Sequence, residues 1–499
     1  MNPFELPREI LDPEVYDRAV AHMRKAGVRL PLFSQLAHVS ETLSELVPRL
    51  SRVDPDAPDP VNLFRVHWFN DDARTGFTKT PGHLRLPKTL TGVETEIVIA
   101  FGDRFPMIGA HKVLAAYGCL VPKLVTGAFD PEHNRAVWPS TGNYCRGGVA
   151  ISNILGCHGV AVLPEGMSAE RFRWLEKWVR DPADIVRTPG TESNVKEIYD
   201  ECARLAKDPA NTIVNQFSEF ANYLVHRFVT GNAMKRIFEC LSETKPRSRL
   251  AGFVAATGSA GTLGAGDLLK EHYGARIIAV EPVECPTLLY NGFGEHNIQG
   301  VGDKHVPLIH NVMNTDLVVG ISDSDTDGLY SLFNTEVGQR YLSERRGCDL
   351  KTLDQLAGLG FSGIANMLAA IKVAKYLQLS SDDVLITVAT DGASLYRTEL
   401  DKWLATHAPG GFDEVNAAEL FGEHLKTVRV DHLLDMTEAD RRRVFNLGYY
   451  TWVEQQGIEV ADFERRRQQG FWRDLADLIP IWDDLIERFN GETGLSDAG

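Results

Sequence analysis

The chain has 499 residues, of which 43% are hydrophobic and 24% charged, and its net charge is −16. That length accommodates two or three domains and a large buried core. The composition is that of a globular protein, and the negative balance argues against non-specific binding to nucleic acid or to an anionic membrane. Seven cysteines are scattered without a CxxC pair, which disfavours a disulfide framework or a zinc site and fits reduced thiols in the cytoplasm. The N-terminus carries no basic, apolar leader and no apolar run approaches the length of a membrane span.

In chain order, residues 1–60 read as an N-terminal extension of polar helices and loops. Leu36, Leu43, Leu46 and Val47 fall there at helical spacing for a core face. Asp54-Pro55-Asp56-Ala57-Pro58-Asp59-Pro60 is a proline-rich boundary. Beyond it, apolar runs bounded by turn residues predict strands at 97–101, 136–139, 159–164, 250–256, 277–280 and 384–389, with helices between them. Such runs indicate parallel sheets covered on both faces. Beyond residue 400, aromatics and arginine runs (441–443 and 465–467) predict a helical C-terminal extension that packs on the core or on a second subunit, with the arginines on solvated faces.

Four segments carry the chemistry. Lys112 lies among Met107, Ile108, Val113 and Leu114. An ordinary lysine is only about 0.04% neutral at pH 7, and apolar surroundings favour the nucleophilic free amine. Ser140-Thr141-Gly142-Asn143 ends a strand and opens a helix, so its N–H groups are placed to hold a carboxylate and the Asn143 amide a phenolic oxygen. The same residues also suit a plain N-cap. Gly258, Ser259, Ala260, Gly261 and Thr262 form a small-residue loop between a strand and a helix, which is an anion cradle. No Lys-Ser/Thr follows it, so it is not a Walker loop. Asp391 follows the last apolar strand, at the end where α/β ligands bind, and a carboxylate there keeps a pyridine nitrogen protonated. Amine, carboxylate loop, phosphate loop and acid, in that order, point to pyridoxal 5′-phosphate. His111 is either a packing residue or a phosphate contact. Gly358-Leu359-Gly360-Phe361-Ser362-Gly363 fits a dinucleotide fingerprint, but what precedes it does not read as a strand. No histidine spacing suits a metal, and none is assigned.

Together these segments resemble the fold-type-II pyridoxal-phosphate enzymes, such as cysteine synthase and the tryptophan synthase β-chain, over about residues 60 to 400. Gln216-Phe217-Ser218, Ile298-Gln299-Gly300-Val301-Gly302 and Gly360-Phe361-Ser362-Gly363 resemble cysteine-synthase segments, whereas Gly109-Ala110-His111-Lys112 is closer to the tryptophan synthase β-chain. The resemblance implies an α/β fold of two doubly wound domains of the tryptophan synthase β-like type. The large cofactor domain would span 61–111 and 216–400 and the small substrate-loop domain 112–215, with extensions at 1–60 and 401–499. It implies that Lys112 holds the cofactor as catalytic amine, that Asn143 contacts its 3′-oxygen, that residues 258–262 hold its phosphate, and that Ser140, Thr141, Gly142 and Asn143 bind substrate. The implied reaction is β-elimination or β-replacement on a polar α-amino acid, through an aminoacrylate, in a homodimer. Two departures qualify it. Tyr144-Cys145-Arg146 replaces small residues, which implies that Arg146 approaches a second acidic group of the substrate. Asp391 stands where cysteine synthase has serine, which favours a longer-lived carbanion and, as an alternative, racemisation. A non-catalytic cofactor-binding regulatory subunit is the alternative outside enzymes, but such a protein has no physical reason to keep Lys112, Asn143 and Asp391 together.

Overall fold

The computed structural model describes residues 3–39 and 45–495. Eleven strands form two sheets among these residues: β1 (His83–Arg85), β2 (Glu96–Phe101), β3 (Arg135–Pro139), β4 (His158–Pro164), β5 (Ile185–Thr188), β6 (Asn211–Ile213), β7 (Arg249–Ala256), β8 (Arg276–Pro282), β9 (Leu317–Ile321), β10 (Asp383–Ala389) and β11 (Leu433–Asp435). The larger sheet runs β1-β2-β10-β7-β8-β9-β11 and the smaller β5-β4-β3-β6. Pairing is parallel throughout the smaller sheet and across β2, β10, β7, β8 and β9, while β1 and β11 add antiparallel edges. The fold is α/β, with helices packed on apolar strands that are buried on both faces. The short edges β1, β5, β6 and β11 escaped the sequence reading because three or four residues carry too little periodicity, and β9, a buried five-residue run inside the larger sheet, escaped it as well.

The segments that bear chemistry follow strand C-termini. Strands β2, β10 and β7 are neighbours, so the stretches after residues 101, 389 and 256 emerge side by side. Residues 140–143 follow β3 in the other sheet. The helix Lys112–Leu124 is buried along its whole length, and Lys112 is its first residue. The helix Asn143–Ile154 likewise begins at Asn143. Gly147 and Gly148 let this second helix approach both neighbours. A Cβ at Gly147 would lie 2.9 Å from the Lys112 carbonyl oxygen, and one at Gly148 2.0 Å from the Trp138 ring on β3. Two glycines thus set the distance between Lys112 and Asn143.

The terminal segments pack on the core and on each other. Helix Pro13–Ala26 lies against helix Leu478–Thr493, where Arg24 donates to the Thr493 carbonyl at 2.8 Å. The Trp482 indole donates to the Pro7 carbonyl at 2.9 Å and that of Trp452 to Val306 at 2.8 Å. Leu36 is buried, and Leu46 and Val47 are half-buried; Leu43 lies outside the described residues. The arginine runs are not uniformly solvated. Arg466 is buried, stacks on Phe463 and donates to the Leu308 carbonyl at 2.7 Å. Only Arg465 of this run lies on a helix, Val460–Arg465; Arg466 caps its end and turns onto the core.

Candidate active site

Lys112, Ser140, Thr141, Asn143, Tyr144, Gln216, Phe217, Gly258, Ser259, Gln299, Gly300, Ser362 and Thr390 line a narrow cavity between the two sheets. The Lys112 amine is 8% exposed and donates to Gln216 Oε1 at 3.2 Å and to Ser259 Oγ at 3.1 Å. Burial lowers its pKa to about 8, against a pull upward from the buried Asp303. The helix N-terminus acts in the same direction as burial, since its dipole opposes a cation. About a tenth of such amines are neutral at pH 7.

Residues 258–262 lead into helix Leu263–Tyr273. Among the described residues, the N–H groups of Ser259, Ala260, Gly261 and Thr262 find no acceptor. Ala260 holds φ +63°, a left-handed turn that aims successive N–H groups into one concavity. A Cβ would strike Gly300 O (2.4 Å) at Gly258 and Asn222 Oδ1 (2.5 Å) at Gly261. His111 is buried between Trp68 and His226, with Nε2 3.3 Å from Thr262 Oγ1. Burial pushes its pKa well down, so the ring is neutral.

On the opposite wall the Ser140 hydroxyl accepts from Gly142 N–H at 2.8 Å, and Gly142 takes φ +139°. The Asn143 amide is oriented from both ends, for Nδ2 donates to Asp391 Oδ2 at 2.6 Å and Oδ1 accepts from Arg146 at 3.0 Å. Arg146 also donates to the Ile108 carbonyl at 3.0 Å and lies over the Trp174 ring. It does not line the cavity, contrary to the expectation that it reaches a substrate acid.

Asp391 is brought to this cluster but is not on the cavity wall. Its Oδ2 accepts from Asn143 and from the Tyr396 hydroxyl at 2.8 Å, with Arg171 at 3.6 Å. Its Oδ1 faces Gly360, where a Cβ would lie 2.1 Å away. Burial raises its pKa, and Arg171, Asn143 and Tyr396 pull it back down. Two hydrogen-bond donors and a nearby guanidinium at one oxygen thus act against burial. Thr390, one residue earlier, and Ser362 line the cavity instead. The Ser362 hydroxyl is buried without a partner. Ser362 lies within the glycine motif set aside in the sequence. What precedes that motif is a helix, Leu350–Ala357, and Gly360 caps helix Phe361–Tyr376.

The family model for pyridoxal-phosphate dependent enzymes matches residues 77–336, just over half of the chain. The chain belongs to the pyridoxal-phosphate dependent enzyme family. Among relatives of this family, the probable cysteine synthase of Bacillus subtilis (strain 168) is 29% identical over 297 residues, covering 59% of this chain and 86% of the relative. The cystathionine beta-synthase of Saccharomyces cerevisiae is 25% identical over 333 residues, 64% of this chain and 61% of that protein. Among solved structures, O-ureido-L-serine synthase superposes with a TM-score of 0.54 at 22% identity, over 68% of this chain and 96% of that one. An O-acetylserine dependent cystathionine beta-synthase from Helicobacter pylori gives 0.52 at 21%, over 64% and 95%. At that identity the likeness establishes the fold.

The residues present fit the family's cofactor. Four free N–H groups at a helix N-terminus suit a phosphate, a buried amine with a depressed pKa suits an aldehyde, and an unpartnered buried hydroxyl, Ser362, suits a ring nitrogen. Gln216, Ser362 and Thr390 were missed as site residues. Gln216 and Ser362 were legible only as parts of the motifs Gln216-Phe217-Ser218 and Gly360-Phe361-Ser362-Gly363, and Thr390 carries no signal that separates it from an ordinary turn hydroxyl.

Proposed function

We infer that this enzyme catalyses β-elimination or β-replacement on a polar α-amino acid at the cavity between Lys112 and Asn143. The observation that carries the reading is the buried Lys112 amine 3.1 Å from Ser259 of the anion-binding loop, across the cavity from residues 140–143. The main-chain N–H groups of 259–262 would hold the phosphate of pyridoxal phosphate, Asn143 its 3′-oxygen, and Ser362 or Thr390 its ring nitrogen. When bound, that group supplies an aldehyde for amines and a ring that stabilises negative charge at the substrate Cα.

The chain's own residues then divide the work. Residues 140–143 bind the α-carboxylate through main-chain N–H groups and the Ser140 and Thr141 hydroxyls. Lys112 takes the Cα proton, with Gln216 and Ser259 steering its Nζ. Burial of the whole wall excludes water while charge develops. Racemisation drew its support from a carboxylate against the ring nitrogen. The Oδ2 of Asp391 is instead tied to Asn143, Tyr396 and Arg171, its Oδ1 is buried against Gly360 without a partner, and neutral hydroxyls line the cavity wall. Loss of a β-substituent is therefore the better-supported outcome. The relatives named cysteine synthase and cystathionine beta-synthase support the same class.

The reading includes a cytoplasmic homodimer. Seven unpaired cysteines support the compartment, and the exposed side chains of Tyr290, Phe293 and Tyr450 support a further interface. Among the described residues no helix is long and apolar enough to cross a membrane.

The test is borohydride reduction of the protein with pyridoxal phosphate, followed by peptide mapping. The pyridoxyl group is expected on Lys112, and its placement elsewhere overturns the assignment. Incubation with serine, cysteine or O-acetylserine, with and without sulfide, is expected to yield a keto acid or a β-substituted product. Exchange of the Cα proton with the β-substituent retained would establish racemisation instead.

A further inference from the structure

The loop that faces the cavity at 140–143 is backed by two buried guanidiniums. Arg146 and Arg171 are both buried, Arg171 with no side-chain exposure. One buried carboxylate, Asp391, stands close to them. The next acid, Glu192, is fully buried; burial pushes its pKa up to about 8, while Arg171 pulls it back down. Two buried guanidiniums beside so few acids favour the arrival of a further anion.

Arg171 shows where that anion belongs. Its stem lies directly behind Gly142, where a Cβ would sit 2.6 Å from its Cδ and 2.7 Å from its Nε. That Nε–H is buried and has no acceptor. The other end of the guanidinium crosses between the sheets. It donates to Ser168 Oγ at 2.9 Å on its own side, and to Gln299 Oε1 and the Tyr396 hydroxyl (3.0 Å) on the other, with Asp391 behind. The neighbours of Gly142 have ties of their own. Asn143 is bonded to Asp391, and Glu192 is set against Thr141 while accepting from Gly300 N–H. Residues 141, 142 and 143 are thus each braced by a contact that spans the cleft.

We propose that Arg171 is a positioning residue for the substrate α-carboxylate. It supplies the positive field behind residues 140–143 and couples the seating of that carboxylate to closure of the cleft through Gln299, Tyr396 and Asp391. This rests on reading the cavity as an amino-acid site. It predicts that the enzyme selects α-amino acids over their carboxamides by charge, and that this preference lies in Arg171.

The experiment titrates L-serine and L-serinamide into the pyridoxal-phosphate-loaded protein, following the visible absorbance of the bound cofactor, alongside steady-state kinetics. In R171M the preference for serine over serinamide is expected to shrink by tenfold or more. KM for the amino acid should rise by a similar factor, kcat change only a few-fold, and the cofactor band persist. R171K keeps the charge but cannot span Ser168, Gln299 and Tyr396 together, so an intermediate KM is expected. D391N combined with R171M is expected to be less than additive. Unchanged discrimination in R171M overturns the proposal. If R171M does not fold, an unchanged KM in R171K overturns it. A wild-type protein that takes up no cofactor defeats the functional reading instead, so the two failures are distinct.

Discussion

Lys112 shows how much one side chain owes to its place on a helix. At the first position of a fully buried helix its amine has no water to stabilise a charge, and the helix dipole repels one. Burial therefore brings its pKa from 10.5 to about 8. Only the neutral amine attacks an aldehyde. The rate of cofactor uptake by the apoprotein is accordingly expected to rise with pH and level off just above 8, whereas an ordinary lysine would keep gaining to beyond 10. Stopped-flow absorbance measures this. Lys112→Ala is expected to abolish the visible band and to lower turnover by about 10²–10⁴, the usual worth of a positioned base. Asp391 makes the complementary point. Its residue type and its position after β10 were legible, but which way its carboxylate turns is set by Asn143, Tyr396 and Arg171, none of them near it in the chain except Tyr396.

At the scale of elements, the spacing between the two active-site helices is set by side chains that are missing. Helix Asn143–Ile154 presents Gly147 to the backbone at Lys112 and Gly148 to the Trp138 ring. Gly148→Ala places a methyl group inside that ring, and either the helix or the indole must move. The expected cost is about 1–3 kcal/mol, read as a lower denaturant midpoint at unchanged slope. Asn143 should shift with its helix and weaken substrate binding. The parallel strands that carry the loops were legible because each is an unbroken apolar run. Helix Leu350–Ala357 and the cap at Gly360 explain why the glycine-rich stretch after it is no nucleotide site. That Ser362 inside it lines the cavity was not legible, because only the crossing of helix Phe361–Tyr376 behind β10 brings it there.

For the whole molecule, buried acids set the response to pH. Glu281 is 2% exposed, accepts from the Leu288 and Leu289 N–H groups, and has its pKa pushed up to about 8 by burial. Glu192 is also at about 8, and Asp303 at about 7. Between their unfolded values near 4 and these folded values, these acids hold more protons in the native state than in the unfolded chain, while His67, His226, His305 and His310, whose pKa burial lowers to about 3, oppose them below the ordinary imidazole value. Above about 6.5 the acids act unopposed, so stability falls as pH rises toward 8 and levels off beyond it. Lys112 acts with the opposite sign but only above about 8, where its unfolded form still holds a proton. The apoprotein is expected to melt several degrees lower at pH 8 than at pH 6, and Glu281→Gln to flatten that slope; calorimetry across the range decides it. The termini contribute through the same core. Tyr117, on the helix that begins with Lys112, donates to the Pro31 carbonyl, and Phe33 packs between Tyr117 and Trp482. Removing residues 478–499 is expected to lower the melting temperature and to weaken cofactor retention, measured by dialysis against buffer.

The amino-acid sequence by itself determined the class of fold, the order of the chemistry-bearing loops and the identity of the buried amine. Each of these is written in local patterns: apolar runs, small-residue turns and one lysine in an apolar stretch. Tertiary structure alone decided which hydroxyls line the cavity, that Asp391 turns toward Asn143, and that Arg171 reaches between the sheets. Those facts depend on contacts between residues a hundred or more positions apart, and no local pattern encodes the direction in which a side chain turns once the strands have come together.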